Sequence, residues 1–577
     1  ADLGKAQDGD LVEIDITKVG RYGLKKAKVS SVVGSLSSEK AVSMIAIHAH
    51  DIPHVFPHDV LDEAANATPP ALVAPREDWR DVPLITIDPA DAKDHDDAVF
   101  AQTDPSPANL GGHIVTVAIA DVAHFVRTGS ALDKEALKRA NSVYFPDRVV
   151  PMLPERISND LCSLREGEDR PAMAVRMVFD AQGHKIDHRF HRIMMRSHAK
   201  LAYEQAQAAI DGMPDAAPSQ VLETILKPLW AAYGTMLKGR NARQPLELDL
   251  PERKIKLRED GTVDRIVIPP RLDAHKLIEE CMIQANVAAA ETLERASQAL
   301  VFRVHDTPSL AKQEALREFL KTMDIGLAHG AQLRPAAFNQ ILAKVAGTDH
   351  ADLVNSVVLR SQSQAEYSPD NYGHFGLNLA RYAHFTSPIR RYADLIVHRA
   401  LIAALNVGDD GTPDTGVEGL RDIAAHISKA ERRASNAERD TVDRLIALHL
   451  EDNIGATYDG RISGVVKGGL FVALATYGTD GFVPAASLGS EYFHHDEGRH
   501  AMVGERSGKG YRLGDAVEIK IAEVAGLSGT MRFDMETEPR DLGFSRQSRH
   551  KAKRAATRRP GRAKAGGPPP GRGNKRR

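Results

Sequence analysis

The 577-residue chain is 42% hydrophobic and 27% charged, long enough for three to five domains with sizeable cores. No apolar run approaches the roughly eighteen residues that span a bilayer, and the opening Ala-Asp-Leu-Gly-Lys has no apolar signal core. Two cysteines, Cys162 and Cys281, are too few for a disulfide scaffold or a cysteine zinc site, so a reducing cytoplasm is expected.

The N-terminus lacks an initiator Met and enters strand-like sequence at once, as expected of a fragment or a processed form. Residues 11–16, 27–34 and 41–47 read as three short strands with Gly-containing turns between them, the pattern of a small barrel. Residues 62–75 read as a short helix and a linker. A mixed α/β block follows over residues 80–400. Its strand Leu84–Ile87 empties into Asp88, Asp91, Asp94, Asp96 and Asp97, and a second buried strand, Ile114–Ala120, ends at Asp121. Helical periodicity marks residues 132–140, 272–296 and 418–450, with a further helix from Asp394 to about Leu405. Residues 361–379 read as loop. From Gly455 to about Phe533 the period returns to two, with a Gly468-Gly469 turn between its first strands. The net charge of −3 hides a split: from Ser545 on there are 13 Lys or Arg and no Asp or Glu, which leaves −16 on residues 1–544. Such a basic, Gly- and Pro-rich tail is expected to be disordered and to meet nucleic acid or another polyanion.

Five carboxylates within ten residues repel one another, and a loop tolerates them when it is fully solvated or holds cations. The apolar residues on both sides anchor this loop to a core, which favours a hard divalent ion with oxygen ligands. An EF-hand is excluded, since no Gly stands sixth from any starting Asp and no Glu closes a twelve-residue loop. A carboxylate cluster open to water suits Mg²⁺ or Mn²⁺ that also engages phosphate. The phosphate then needs a cation, and Arg390 and Arg391, after the Ser387-Pro388 turn, are the candidates. His305 reads as a structural histidine and not as a general base.

The run from Asp88 to Ala98 resembles the catalytic signature of the ribonuclease II/ribonuclease R family. So do Val143–Pro146, Val150–Pro154, Ser158–Leu164, Glu279–Asn286 and Thr386–Tyr392, in that order and across most of residues 80–440. Residues 8–57, ending in His50-Asp51-Ile52-Pro53-His54-Val55-Phe56-Pro57, resemble a cold-shock-type barrel, and residues 455–535 resemble an S1 domain. The implied fold is multidomain α+β: a cold-shock-type OB barrel over 1–65, a linker over 66–79, an RNB catalytic domain over 80–450, an S1 barrel over 451–536 and a basic disordered tail over 537–577. Relatives of this type usually carry two cold-shock barrels before the catalytic block, and this chain has room for one. The basic tail and the His50–His54 segment favour the ribonuclease R side of the family.

The resemblance implies a processive, hydrolytic 3′-to-5′ exoribonuclease that releases nucleoside 5′-monophosphates, structured RNA with a 3′ overhang included. It implies one or two Mg²⁺ ions, with Mn²⁺ as a substitute, on Asp88, Asp94, Asp96 and Asp97. Asp96 would be tied most directly to cleavage, and Asp91 would lie outside the ligand set. Arg390 would hold the scissile phosphate, with Arg391 a weaker candidate. Tyr144 would stack on the terminal base, Tyr203 and Glu280 would read ribose hydroxyls, and Glu438 would lie near the 3′ end. In the barrel, Phe471, Phe482 and Lys467 would meet single-stranded RNA. Partners would be RNA and, beyond it, ribosomes or RNA-decay machinery, with no membrane contact and a monomeric enzyme in the cytoplasm. Two other classes stay open on the residues alone: an RNA-binding module with an inert catalytic block, and a hydrolase of DNA or small phosphodiesters.

Overall fold

A computed structural model describes residues 4–542 apart from 8–9, 19–24, 36–39, 249–252, 260, 328–332, 349 and 412–415. The expected disordered tail lies almost wholly outside the described residues. Two compact units form. The first holds residues 1–455 with segments 476–479 and 522–531, and the second holds 456–475, 480–521 and the chain from 532 on. No helix among the described residues is long and apolar enough to cross a membrane.

At the N-terminal end, Asp10–Lys18 pairs antiparallel with Lys25–Ser35, with two register shifts along the pair. The third strand expected over 41–47 is instead the helix Lys40–Ala49. In Ala-Val-Ser-Met-Ile-Ala-Ile nearly every residue is apolar, so alternation carries no information there. The helix wins because Ala41, Val42, Ala46 and Ile47 bury on one side. Ala46 and Ile47 join Ile52, Val143, Phe145, Val150, Ala434 and Ala437 in one apolar cluster.

The large block is built on a five-stranded sheet. Its order is Glu77–Trp79, Lys185–Arg196, Asp169–Phe179, His113–Ala120, Asp97–Thr103. The first pairing is parallel and the rest are antiparallel. His113–Ala120 is buried almost throughout and reads as a continuous apolar run for that reason. Beyond its end, the fully buried Asp121 carboxylate accepts from Arg76 at 2.8 Å and from Arg192 at 2.7 Å, and Arg192 also grips the buried Asp410. Burial alone would raise the Asp121 carboxyl, but the guanidinium charges of Arg192 and Arg76 outweigh it and hold it well below the usual carboxylate range.

A second, two-stranded pairing matters more for chemistry. Thr86–Asp88 runs parallel to Lys200–Ala202, with Asp88 opposite Ala202. Helices Asp273–Arg295, Tyr392–Leu405 and Gly416–Leu450 fall close to their predicted spans. Within the stretch expected as loop, Glu366–Ser368 forms a short strand against Phe302–Val304.

In the C-terminal unit, Thr457–Val466, Gly469–Leu474, Asp480–Pro484, Ala516–Ala525 and Thr530–Met535 close into a barrel. Gly469 is obligatory in its turn, since a Cβ there would sit 2.0 Å from the Val483 carbonyl oxygen. A four-stranded sheet of Phe493–Asp496, Ala501–Gly504, Lys509–Arg512 and Arg540–Asp541 accompanies the barrel and was not anticipated from the sequence.

Candidate active site

The acid loop hangs between two strand ends. Asp88 closes the strand Thr86–Asp88, and Asp97 opens the strand Asp97–Thr103, where it pairs with Ile119. Both ends are thus fixed by sheet hydrogen bonds, and the intervening residues must fold back over a short span. Asp91 stays exposed, whereas Asp96 is 7% exposed.

A turn from a distant part of the chain docks on Asp96. Arg390 and Arg391 donate their backbone N–H groups to the Ser387 carbonyl, and Asp394 accepts from the Ser387 N–H at 2.8 Å. This fold-back aims the Ile389 N–H at Asp96 Oδ1, at 3.1 Å. It also sets Arg390 Nε 3.7 Å from Asp96 Oδ2 while the Arg390 side chain keeps 43% of its exposure. Burial pushes the Asp96 carboxyl up to about 7; Asp94 adds to the rise and Arg390 opposes it. Asp97 is raised well above the ordinary value by burial and by the charges of Asp88 and Asp96.

Tyr144 and Tyr203 flank this cluster. The segment Ala140–Ser142 runs beside Arg390–Tyr392, through Ser142 N–H to Arg390 O at 3.0 Å and Tyr392 N–H to Ala140 O at 2.8 Å. That places the following Tyr144, 42% exposed, near the carboxylates. Partial burial and the charges of Asp94 and Asp96 push its phenol above the ordinary value. Glu438, on the Gly416–Leu450 helix, accepts the Tyr144 backbone N–H at 2.8 Å, and its own carboxyl is raised by burial. Tyr203 follows Ala202, the register partner of Asp88. Its phenol is raised by burial and then by Asp97 and Asp88, and its ring stacks on His275 at 4.2 Å.

Two expected substrate contacts are otherwise engaged. Arg391 donates through Nε and Nη2 to Asp394, at 2.8 and 2.7 Å, which ties it to the turn. Glu280 is 1% exposed, and its two carboxylate oxygens take Arg243 at 3.1 and 3.2 Å, with Gln284 at 2.8 Å. A carboxylate this enclosed and this well matched is not a free ribose acceptor. His305 is structural, as expected: Nε2 donates to the Ser363 carbonyl at 2.8 Å and Nδ1 accepts from Gly376 N–H at 2.9 Å. In the barrel, Phe471 faces Phe482 across the strands at 5.2 Å between ring centroids. Phe471 is 39% exposed and Lys467 is exposed at the turn.

The residue that sequence reasoning passed over is His95. It is 3% exposed, and its Nδ1 lies 2.7 Å from Asp88 Oδ2. Its place inside the acid run was the available signal.

Residues 76–407 match the RNB domain model, 451–526 the S1 RNA binding domain and 1–57 the cold shock domain. With the acid loop and the docked arginine turn, these matches define an RNB-type enzyme. The chain belongs to the ribonuclease II/ribonuclease R family of exoribonucleases. It is 37% identical to ribonuclease R of Vibrio parahaemolyticus over 551 residues, which is 93% of this chain and 66% of that one. It is 37% identical to ribonuclease R of Escherichia coli over 567 residues, 95% and 69% of the two chains. It therefore spans about two thirds of the length of these relatives. Among solved structures it superposes on Mycoplasma genitalium RNase R in complex with ribose methylated single-stranded RNA. The TM-score there is 0.86 at 27% identity, covering 92% of this chain and 83% of that one.

Enzymes of this family generally depend on a divalent metal. The donor set fits one. Carboxylate oxygens are the ligands hard cations take, and Asp88, Asp94, Asp96 and Asp97 bring them together beside a single half-exposed guanidinium, that of Arg390. Among the described residues no group of three His, Cys, Asp or Glu side chains is placed to hold a metal ion. Mg²⁺ commonly takes only one or two carboxylates beside water and substrate phosphate, so the set suffices.

The raised carboxyls give a pH prediction. A group whose folded value exceeds its unfolded value binds more protons in the folded state, so its contribution to stability falls as pH rises through that window. In EDTA, wild type should lose stability relative to Asp96→Asn between about pH 4 and pH 7, by up to about 1.4 kcal/mol per pH unit. Saturating Mg²⁺ should erase that loss at pH 7. Urea unfolding of both proteins across this range checks it; parallel pH profiles in EDTA would contradict it.

Proposed function

We propose that the chain is a hydrolytic 3′-to-5′ exoribonuclease that shortens RNA processively to nucleoside 5′-monophosphates with Mg²⁺. The observation that carries this reading is the half-exposed Arg390 guanidinium beside Asp96. It pairs a cation for phosphate with carboxylates for metal at one point. Asp88, Asp94, Asp96 and Asp97 would hold the metal, and the chemistry it would supply is activation of water and stabilisation of the leaving oxygen. Arg390 takes the non-bridging oxygens of the scissile phosphate. Tyr144 offers an exposed ring to the terminal base, and Glu438 fixes the backbone that presents it. Tyr203, braced by His275, lies on the Asp88 side, where a ribose 2′-OH would tell RNA from DNA. Phe471, Phe482 and Lys467 offer stacking rings and a charge to single-stranded RNA. Substrates are single strands and structured RNA with a 3′ overhang. The free thiols Cys162 and Cys281 suit the cytoplasm as the working compartment.

The test uses 5′-labelled RNA, matched DNA, and a duplex RNA with a 3′ overhang, each with Mg²⁺ or EDTA. Mononucleotide release from the two RNAs alone, lost in EDTA, is expected. Tight binding without release under any divalent ion would make the chain a binding module, and equal cutting of DNA would make it a general phosphodiesterase. Tyr144→Ala should lengthen the limit product by one or more nucleotides, because stacking supplies about 1–3 kcal/mol per base. A limit product of unchanged length on a sequencing gel would remove Tyr144 from that role.

A further inference from the structure

We infer that His95 is a positioning residue that holds Asp88 in its metal-ready orientation, and that Ser163 and Leu164 hold His95. This rests on the reading of Asp88 as a metal carboxylate.

An ionised carboxylate only accepts, so at 2.7 Å from Asp88 Oδ2 it is His95 Nδ1 that carries the proton and donates. The bond fixes the Asp88 side chain and occupies one oxygen, leaving the other for a cation. A lysine or arginine there would donate equally well, but it would bring a permanent cation that competes with the metal. Asp88 also repels Asp97, as the raised Asp97 carboxyl reports. An untethered Asp88 would turn away from that neighbour.

His95 is itself immobilised. Its backbone N–H donates to Ser163 Oγ at 3.1 Å, and its carbonyl accepts from the Leu164 N–H at 3.0 Å. Ser163 is fully buried and His95 nearly so. The Ser158–Leu164 motif carries no reacting group of its own. Here it acquires a purpose as the clamp on the middle of the acid loop, while the sheets clamp both ends.

Partners that orient metal ligands commonly change metal affinity ten- to a hundredfold when removed. The test titrates the full-length protein with Mn²⁺ and follows free Mn²⁺ by electron paramagnetic resonance, without RNA. His95→Phe fills the same space without a donor and should weaken Mn²⁺ binding roughly ten- to a hundredfold. His95→Asn keeps a donor and should recover most of that loss, which a role in packing alone would not produce. In an Asp88→Asn background, His95→Phe should weaken binding no further. If Asp88→Asn weakens binding and His95→Phe does not, the positioning role is overturned while the active-site reading stands. If Asp88→Asn itself leaves Mn²⁺ binding unchanged, both fall. Should His95→Phe fail to fold, Ser163→Ala removes only the outer clamp. It should weaken Mn²⁺ binding several-fold, and unchanged binding would overturn the inference.

Discussion

An Asp96→Asn enzyme is expected to bind RNA with near-normal affinity and to release no mononucleotide. The side chain keeps its volume and can still accept the Ile389 N–H, so the Ser387–Arg391 turn should stay docked. What disappears is an ionisable carboxyl beside Arg390, where the proposed metal carboxylates and the proposed phosphate arginine meet. If Asp96 holds the metal as proposed, its loss would remove both water activation and leaving-group stabilisation, so a fall of at least about 10³-fold is expected. Filter binding should stay within a few-fold of wild type, since affinity for RNA comes mainly from basic and stacking surfaces. Cutting at the wild-type rate would remove the acid loop from catalysis, and loss of binding as well would mean that the substitution collapsed the turn.

The largest effect on stability should come from Asp121, whose carboxylate serves a buried pair of arginines and not the acid loop. Asp121→Ala leaves Arg76 and Arg192 buried with their shared carboxylate gone; Arg192 retains a carboxylate partner in Asp410, whereas Arg76 keeps only the Ile193 carbonyl. Removing one member of a buried charge network typically costs about 3–5 kcal/mol, because an uncompensated charge stays behind. Urea unfolding of the first unit should show a correspondingly lower midpoint. A cost under about 1 kcal/mol would mean that water reaches these arginines. Replacing Asp121 with Asn should cost less than Ala, since the amide oxygen still accepts one guanidinium hydrogen bond.

Where chemistry is carried by neighbours in sequence, the chain was readable. The acid loop announces itself because strand, carboxylates and strand follow within twenty residues, and Arg390 follows a Ser-Pro turn. The long helices were readable because their apolar stripes repeat over many turns. Failures came where a side chain's partner decides its role. Glu280 looks available until Arg243, 37 residues earlier, is found on both its oxygens. Arg391 and Arg390 are indistinguishable as residues, and only the direction of the turn gives one to Asp394 and the other to Asp96. The helix at Lys40–Ala49 was misread because a uniformly apolar segment has no period, and its form is set by the surface it covers.

That same helix bears on how firmly Tyr144 is held. Val143, Phe145 and Val150, which carry Tyr144 between them, rest on Ala46, Ile47 and Ile52 from the N-terminal region and on Ala434 and Ala437 from the long helix. Ser43 Oγ adds a bond to Asp147, within the same hairpin, at 2.7 Å. The hairpin that carries Tyr144, the proposed stop for a shortening RNA, is therefore a joint between two regions of the chain. Its stiffness belongs as much to the segment before residue 58 as to the catalytic block.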